Sequence, residues 1–558
     1  MGSPSSSQER SENQSGTGSI SSAHEKITHD TTHRQLKERH VQLIGIGGTI
    51  GTALFVAIGR GLALGGPASL FLGFTLWSTV VLSEMVSYLP ISSPFIRFAG
   101  RFVDDAFGVA TGYNFFIFEA MMVPFEIVAS TFILNFWPGV TTVHPAIIIS
   151  AIIILYGCAN LFTVKWYGEA EFWMALGKVV LIIGLLLFTF ITMLGANPLH
   201  DRFGFRYWKD PGAFAEFYHT GSLGRFMGFL ACFIQASFTI AGPDYVSMAA
   251  GETENPRKTL PRAFNGVFFR LTAFFVLGSL AVGVLVPYNS QELVDIYLKG
   301  KSLAGAAGSP YVLAMQRLQI GVLPHIVNAL VFTSALSAGN SYVFCASRCL
   351  FGLALEGKAP RVFRRTNKFG VPIYCVFLVL AFSLLAFLAV SAGSAVVLNW
   401  FIGLVTSAQL LNYAVCSFTY IRFYQACKAQ GIDRKGLPFC GIWQPYTAYY
   451  ALFLTFVMTF VGGFFVFLPG FWSVPTFLFS YTMPFMFPVV FIVWKLVKGT
   501  KWVRSEDADL VEGLDEIEAY EAAYKETPSG LERFQEKVIG GAKRRIQRVV
   551  GRKHEESN

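Results

Sequence analysis

Ile46-Gly47-Gly48-Thr49-Ile50-Gly51-Thr52-Ala53 lies in the middle of an apolar run that extends from about residue 41 to 64. Three glycines and two β-branched threonines so close together give poor helix propensity. A run long enough to cross a bilayer therefore carries, at mid-depth, a stretch that resists being helix. Breaking a helix there frees backbone N–H and C=O groups, which a membrane tolerates only where they line a cavity or a ligand. A second stretch has the same character. Ala241-Gly242-Pro243-Asp244 places a glycine, a proline and a carboxylate inside the run 223–249. Proline removes one helical hydrogen bond, and a charge at bilayer depth is expensive.

The surrounding composition is that of a membrane protein. Charged residues are 14% of the 558 and hydrophobic residues 53%, against about a quarter charged in a soluble domain. A membrane-crossing helix needs about 20 apolar residues. Twelve such runs are predicted: 41–64, 67–90, 107–136, 145–163, 171–194, 223–249, 264–287, 322–354, 371–391, 394–424, 448–468 and 474–497. The fold class is thus an all-α membrane protein with twelve transmembrane helices. Three regions are expected: a disordered N-terminal tail over 1–40, a transmembrane domain over 41–500, and a C-terminal tail over 501–558. That last tail is acidic over 506–521 and has the pattern of a basic amphipathic helix over 531–553. Such a helix suits either an anionic membrane surface or water.

The net charge of +9 does not point to nucleic acid. Lys and Arg concentrate in alternate loops, at Arg97, Arg101, Arg257, Lys258, Arg361, Arg364, Lys428 and Lys498, and are sparser in the others. By the positive-inside rule both termini are cytoplasmic. The outside loops contain no Asn-x-Ser/Thr acceptor. The eight cysteines and nine histidines lack metal-ligand spacing, so no metal or cofactor is expected. No nucleophile–base pair, phosphate-binding loop or pore filter is visible, which leaves an enzyme or a channel without support. A transporter is the leading reading, and a nutrient sensor on the same scaffold is the alternative.

The two interruptions fall in the first and sixth runs, corresponding positions of two five-helix halves. Paired interruptions of this kind point to a transporter site built on inverted repeats. Half-helix N-termini can hold a substrate carboxylate, while freed carbonyls and a nearby acid hold an ammonium group. The candidate substrate-binding residues are Gly48, Thr49, Ile50, Gly51, Thr52 and Ala53 in the first run, with Ile240, Ala241, Gly242 and Asp244 in the sixth.

Several motifs resemble those of fungal amino-acid permeases, in the amino acid–polyamine–organocation superfamily. They are His40 to Thr52, Gly65-Gly66-Pro67-Ala68, Gly168-Glu169-Ala170-Glu171-Phe172-Trp173, Gly251 to Lys258, Ser337-Ala338-Gly339-Asn340-Ser341 and Gly370-Val371-Pro372. The resemblance implies a LeuT-like fold, with helices 1–5 and 6–10 as inverted repeats and two further helices. It also implies import of amino acids across the plasma membrane by proton symport, with Ser337 near the substrate. Protons, the lipid bilayer and cytoplasmic regulators of the tails are then the expected partners. Two departures stand out: Ala53 replaces the usual glycine, and Gly242-Pro243-Asp244 replaces the usual Gly-Thr-Glu. Glu119, where relatives commonly carry an aromatic residue, suggests the subgroup related to yeast carriers of carnitine and polyamines.

Charges inside the spans default to functional hypotheses. Lys178 stands alone in the fifth span, and the resemblance implies a proton-coupling role for it; Asp244 is a second candidate for substrate ammonium or proton. Glu119 and Glu126 share one face of the third span, and Glu119 is a candidate either for substrate charge selection or for a proton route. Glu84 is a further intramembrane acid. Glu252 and Glu254, beside Arg257 and Lys258, read as a gate or an ion pair.

Overall fold

The structure is a computed structural model that describes residues 41–42, 45, 49–78, 84–89, 94–161, 164–239, 243–248, 250, 253–299, 308–367, 370–434, 437 and 443–523. Among these residues the regular elements are helices. The main ones are α1 (Ala53–Trp77), α2 (Pro94–Phe102), α3 (Asp105–Leu134), α4 (Pro145–Leu161), α5 (Val164–Met193), α6 (Gly221–Thr239) and α7 (Pro243–Met248). They continue as α8 (Pro256–Leu285), α9 (Leu323–Leu355), α10 (Ile373–Ser383), α11 (Ser394–Ala429), α12 (Tyr446–Val461), α13 (Val474–Lys498) and α14 (Leu514–Ala523).

Eight of the described helices are long and apolar enough to cross a membrane, with two shorter apolar helices besides. The chain is therefore a multi-pass membrane protein. The first of the eight, α1, covers parts of two expected spans. At the expected boundary between them, Gly66 takes φ 80° and ψ 174°, a conformation open mainly to glycine. A side chain there would also collide with the backbone of 213–215. Ala68 N donates to the Ala213 carbonyl and Ala215 N to the Gly65 carbonyl, both at 2.9 Å, so the turn's polar groups are satisfied.

Burial separates interior helices from lipid-facing ones. The apolar windows of α1 and α3 are 83% buried, whereas those of α12 and α13 are 33% and 28% buried. An apolar face left open is stable only in lipid, so α12 and α13 form part of the outer wall.

Close helix approach depends on small residues, as in other membrane bundles. α1 meets α6 at Gly65 and Gly228, and the Cys232 thiol donates to the Gly61 carbonyl at 3.0 Å. α3 and α9 run antiparallel. Trp137, just beyond the end of α3, donates to His325 at the start of α9 (3.1 Å), while the Tyr113 hydroxyl donates to the Lys358 carbonyl beyond the end of α9 (3.0 Å).

The residues after α13 remain part of the first of two compact units, which runs to Leu510. Val503 N donates to the Val103 carbonyl at 2.8 Å, Arg101 pairs with Asp509 at 3.0 Å, and Gln430 donates to the Ala508 carbonyl at 2.6 Å. Ten residues past the expected domain end are thus stitched to the helix ends. The second unit begins at Val511 and contains α14. The expected amphipathic helix over 531–553, like the tail over 1–40, lies outside the described residues.

Candidate functional site

The first interruption is non-helical where it is described. Thr49, Ile50 and Gly51 form a turn and bend, and helix resumes at Thr52 through a π-helical turn over Ala53–Ala57. A wide turn frees carbonyls, and side chains from elsewhere answer them. The Tyr297 hydroxyl lies 2.8 Å from the carbonyl oxygens of Val56 and Gly308. Ser334 of α9 donates to the Ile50 carbonyl at 3.3 Å, and Thr49 donates to the Gly45 carbonyl.

Glu126 is the residue that organises this turn. Projecting from α3, it is 1% exposed and accepts the Thr52 hydroxyl. A Cβ placed on Gly51 would stand 3.1 Å from Glu126 Oε1 and 3.1 Å from the Ala338 Cβ. The turn is therefore clasped between α3 and α9, and glycine at position 51 is what lets them close on it.

Lys178 completes the arrangement. It is 2% exposed, and its electrostatic partners are Glu171, one turn-pair earlier on α5, and Glu126. Glu171 in turn accepts the Ser337 hydroxyl at 3.1 and 3.2 Å. Two buried carboxyl groups thus lie within electrostatic range of the buried Lys178 amine, beside the interruption, and one of them is bonded to α9 through Ser337. Buried ionisable groups persist only with compensating neighbours, and this triad supplies them to itself across α3 and α5.

Tyr156 of α4 closes one side. Its ring packs on Gly339, where any Cβ would overlap the hydroxyl and the ring. The hydroxyl is buried, has Glu126 within electrostatic range, and has no hydrogen-bond partner among the described residues. One turn further on, Asn160 Nδ2 donates to Asn340 Oδ1 at 2.7 Å.

The structure thus brings together Thr49, Ile50, Gly51, Thr52, Glu126, Lys178 and Ser337. Ala53 is buried in the π turn. Glu119 is fully buried on α3, two turns from Glu126, and has Cys345 and Cys349 of α9 as electrostatic neighbours. Gly48, Ile240, Ala241, Gly242 and Glu252 lie outside the described residues. Asp244 falls within α7 and Glu84 within a short helix over Glu84–Tyr88, but their carboxylates are not among the described side chains. Sequence reasoning overlooked Glu171 and Tyr156. Glu171 carried a usable signal, since it precedes Lys178 by seven residues and so shares its helix face. Tyr156 carried none, being one aromatic residue within an apolar run.

Known proteins resemble this chain over nearly all of this architecture. The family model described as amino acid permease matches residues 40–506. A general amino acid permease of Saccharomyces cerevisiae is 44% identical over 523 residues, covering 90% of this chain and 85% of its own. A proline-specific permease of Emericella nidulans is 38% identical, covering 88% and 90%. A dicarboxylic amino acid permease of Saccharomyces cerevisiae is 37% identical, covering 91% and 86%.

Proposed function

The chain belongs to the amino acid permease family, and on that premise we propose that it imports amino acids across the plasma membrane by proton symport. The relatives are named as permeases, and their names span general, proline-specific and dicarboxylic amino-acid substrates. The proposed fold is the LeuT-like one: twelve spans, two inverted five-helix repeats and two further helices, with both termini cytoplasmic. The end of the bundle that carries Arg97, Arg101, Lys358 and Lys498 is then the inner end.

One observation carries this reading: the buried triad of Glu126, Glu171 and Lys178 beside the non-helical turn at Thr49–Gly51. The turn offers backbone groups to the substrate's carboxylate and ammonium, together with Ala53, Ser337 and the counterpart stretch Ile240–Asp244. The triad offers groups that exchange a proton when the balance of charge around them changes. Alternating access follows if loading both substrate and proton relieves the charge that an empty site would carry inward.

The test is uptake of a radiolabelled mixture of protein amino acids by a yeast strain lacking its own permeases. Uptake is expected to be faster at about pH 5 than at about pH 7.5 and to collapse with a protonophore. Surface-expressed protein that binds but does not accumulate label would overturn transport in favour of sensing. Uptake indifferent to pH and protonophore would overturn proton coupling alone.

A further inference from the structure

A second row of polar groups begins where the central triad ends. On α9, Ser337, Ser341, Cys345 and Cys349 recur every four residues, and all four are buried. That spacing places them in one stripe along the helix. Ser337 donates to Glu171, and Ser341 donates to the Ser337 carbonyl at 3.1 Å.

The antiparallel register of α3 against α9 decides what faces this stripe, and it is pinned at two points. Towards the inner end, the Cys349 thiol donates to the Gly112 carbonyl at 3.6 Å. Towards the centre, Glu126 and Ala338 meet across Gly51. Glu119 is midway between Gly112 and Glu126, about 10 Å along the axis from each. It therefore stands opposite the α9 turns between Ala338 and Cys349. Its electrostatic neighbours agree: Cys345 senses both Glu119 and Glu171, and Cys349 senses both Glu119 and Glu356.

Glu356 lies at the inner end. It sits 2.9 Å from Lys358 Nζ and 3.3 Å from Arg97 Nε, with its side chain 27% exposed. Hydroxyl, thiol and carboxyl groups thus recur at intervals from the buried triad to a solvent-accessible ion cluster. Other charged groups around it are Arg348 of α9, near Cys345 and Cys375, and Asp105, which pairs with Lys358 at 3.1 Å. α2 contributes Arg97 and Arg101 at the inner end. α11 and α13, also packed on α3, carry no charged residue before Arg422 and Lys495.

We propose that this row is the route by which the coupling proton leaves the central site for the cytoplasm, with Glu119 as the carboxylate that receives it midway. The proposal rests on the proton-symport reading. One proton moves at each step: a carboxyl of the triad loses its O–H, Glu119 gains one, and Glu356 and then water take it on. The serine hydroxyls, the thiols and water admitted as the inner side opens bridge the gaps, and no group changes oxidation state. A fully buried carboxyl seven residues from Glu126 is costly to keep. Its place midway between the triad and the ion cluster accounts for it better than substrate charge selection, since it lies two turns along α3 from Glu126, the residue that holds the turn at Thr49–Gly51.

The test separates the two readings. Substrate-driven proton influx and pH-dependent uptake are measured first on the unaltered protein; their absence would remove symport itself, whatever Glu119 does. With symport present, Glu119→Gln is expected to cut net uptake and proton influx by about tenfold or more. Exchange of external for preloaded label requires no net proton release and is expected to stay within about twofold of the unaltered protein, while Glu119→Asp recovers much of the net uptake. Equal loss of exchange and net uptake, a loss confined to cationic amino acids, or no loss would each overturn the route. If Glu119→Gln does not reach the surface, Cys345→Val carries the test. Net uptake must then fall with exchange intact, and unchanged net uptake overturns the proposal.

Discussion

Glu126 and Gly51 meet at the centre of the molecule: Glu126 Oε1 lies 3.1 Å from where a Cβ on Gly51 would stand, while the same carboxylate accepts the hydroxyl of Thr52. A carboxyl group from α3 is thus held against a turn of the first span that, among the described residues, is not helix. Position 51 has room for little beyond hydrogen. Gly51→Leu is expected to abolish uptake while surface expression persists, and Gly51→Ala to lower it by moving Glu126 or Ala338 a few tenths of an ångström. Overpacking of this kind costs about 1–3 kcal/mol. Uptake at the unaltered rate by surface-expressed Gly51→Leu would exclude this turn from the site.

Under the proposed proton symport, coupling depends on the titratable groups of the triad rather than on its shape. Glu126→Gln keeps an acceptor for Thr52 but removes the charge near Lys178. Accumulation against a gradient and its pH dependence are expected to disappear, with exchange retained. Lys178→Ala is expected to do the same. Persistent accumulation with an unaltered pH profile in either variant would assign that residue to structure alone.

Tyr156 and Gly339 form a matched pair between α4 and α9. Gly339→Ala places a methyl group into the Tyr156 hydroxyl and ring, and is expected to lower the melting temperature in detergent by the equivalent of about 1–3 kcal/mol. Tyr156→Leu makes room for that methyl. The double variant should then lose less than the sum of the two single changes. Strict additivity would show that the two residues do not share the space.

Asp104 anchors the N-terminal end of α3. Its carboxylate accepts the Ala106 amide at 2.9 Å and the Thr500 hydroxyl at 2.6 Å, and it pairs with Lys495. Burial alone raises its pKa, but the hydrogen bonds from Lys495, Thr500 and Ala106 together with the Lys495 charge outweigh that and leave it below the usual 3.8. The unfolded carboxyl therefore binds a proton at higher pH than the folded one. The stability it contributes is full above about pH 4 and is lost as pH falls through the folded value. Asp104→Ala is expected to cost about 1–3 kcal/mol at pH 7, because the Ala106 amide and the Thr500 hydroxyl lose their acceptor while the half-exposed Lys495 turns to solvent. Thermal unfolding followed against pH checks this: the gap between the two proteins should be constant from about pH 6 to 8 and narrow below about pH 4.

The stitched segment after α13 makes a sharp distinction between two truncations. Removing residues 511–558 leaves the Val503–Val103 and Gln430–Ala508 hydrogen bonds and the Arg101–Asp509 pair in place, and the shortened protein is expected to fold and transport. Removing residues 500–558 also deletes the Thr500 and Val503 hydrogen bonds to the start of α3. That version is expected to be recovered poorly after detergent extraction. Equal recovery of both would mean that the segment contributes nothing to the fold.

The sequence by itself determined that the chain is an all-helical, multi-pass membrane protein, where the first span is interrupted, and to which family it belongs. These properties are local: a crossing needs an unbroken apolar run, and Gly, Thr and Pro act on the backbone of their own turn. It also brought out Lys178, Glu119 and Glu126, because a charge in an apolar run is conspicuous. Only the tertiary structure decided their partners. α3, α5 and α9 are apolar almost all round, so periodicity does not say which face turns inward. The pairing of Lys178 with Glu171, the reach of Glu126 to Thr52, the fit of Tyr156 on Gly339 and the position of Glu119 beside Cys345 each join residues on different helices or different turns. They are set by the antiparallel register of packed helices, pinned at contacts such as Cys349 with Gly112, and no local pattern in the chain encodes that register.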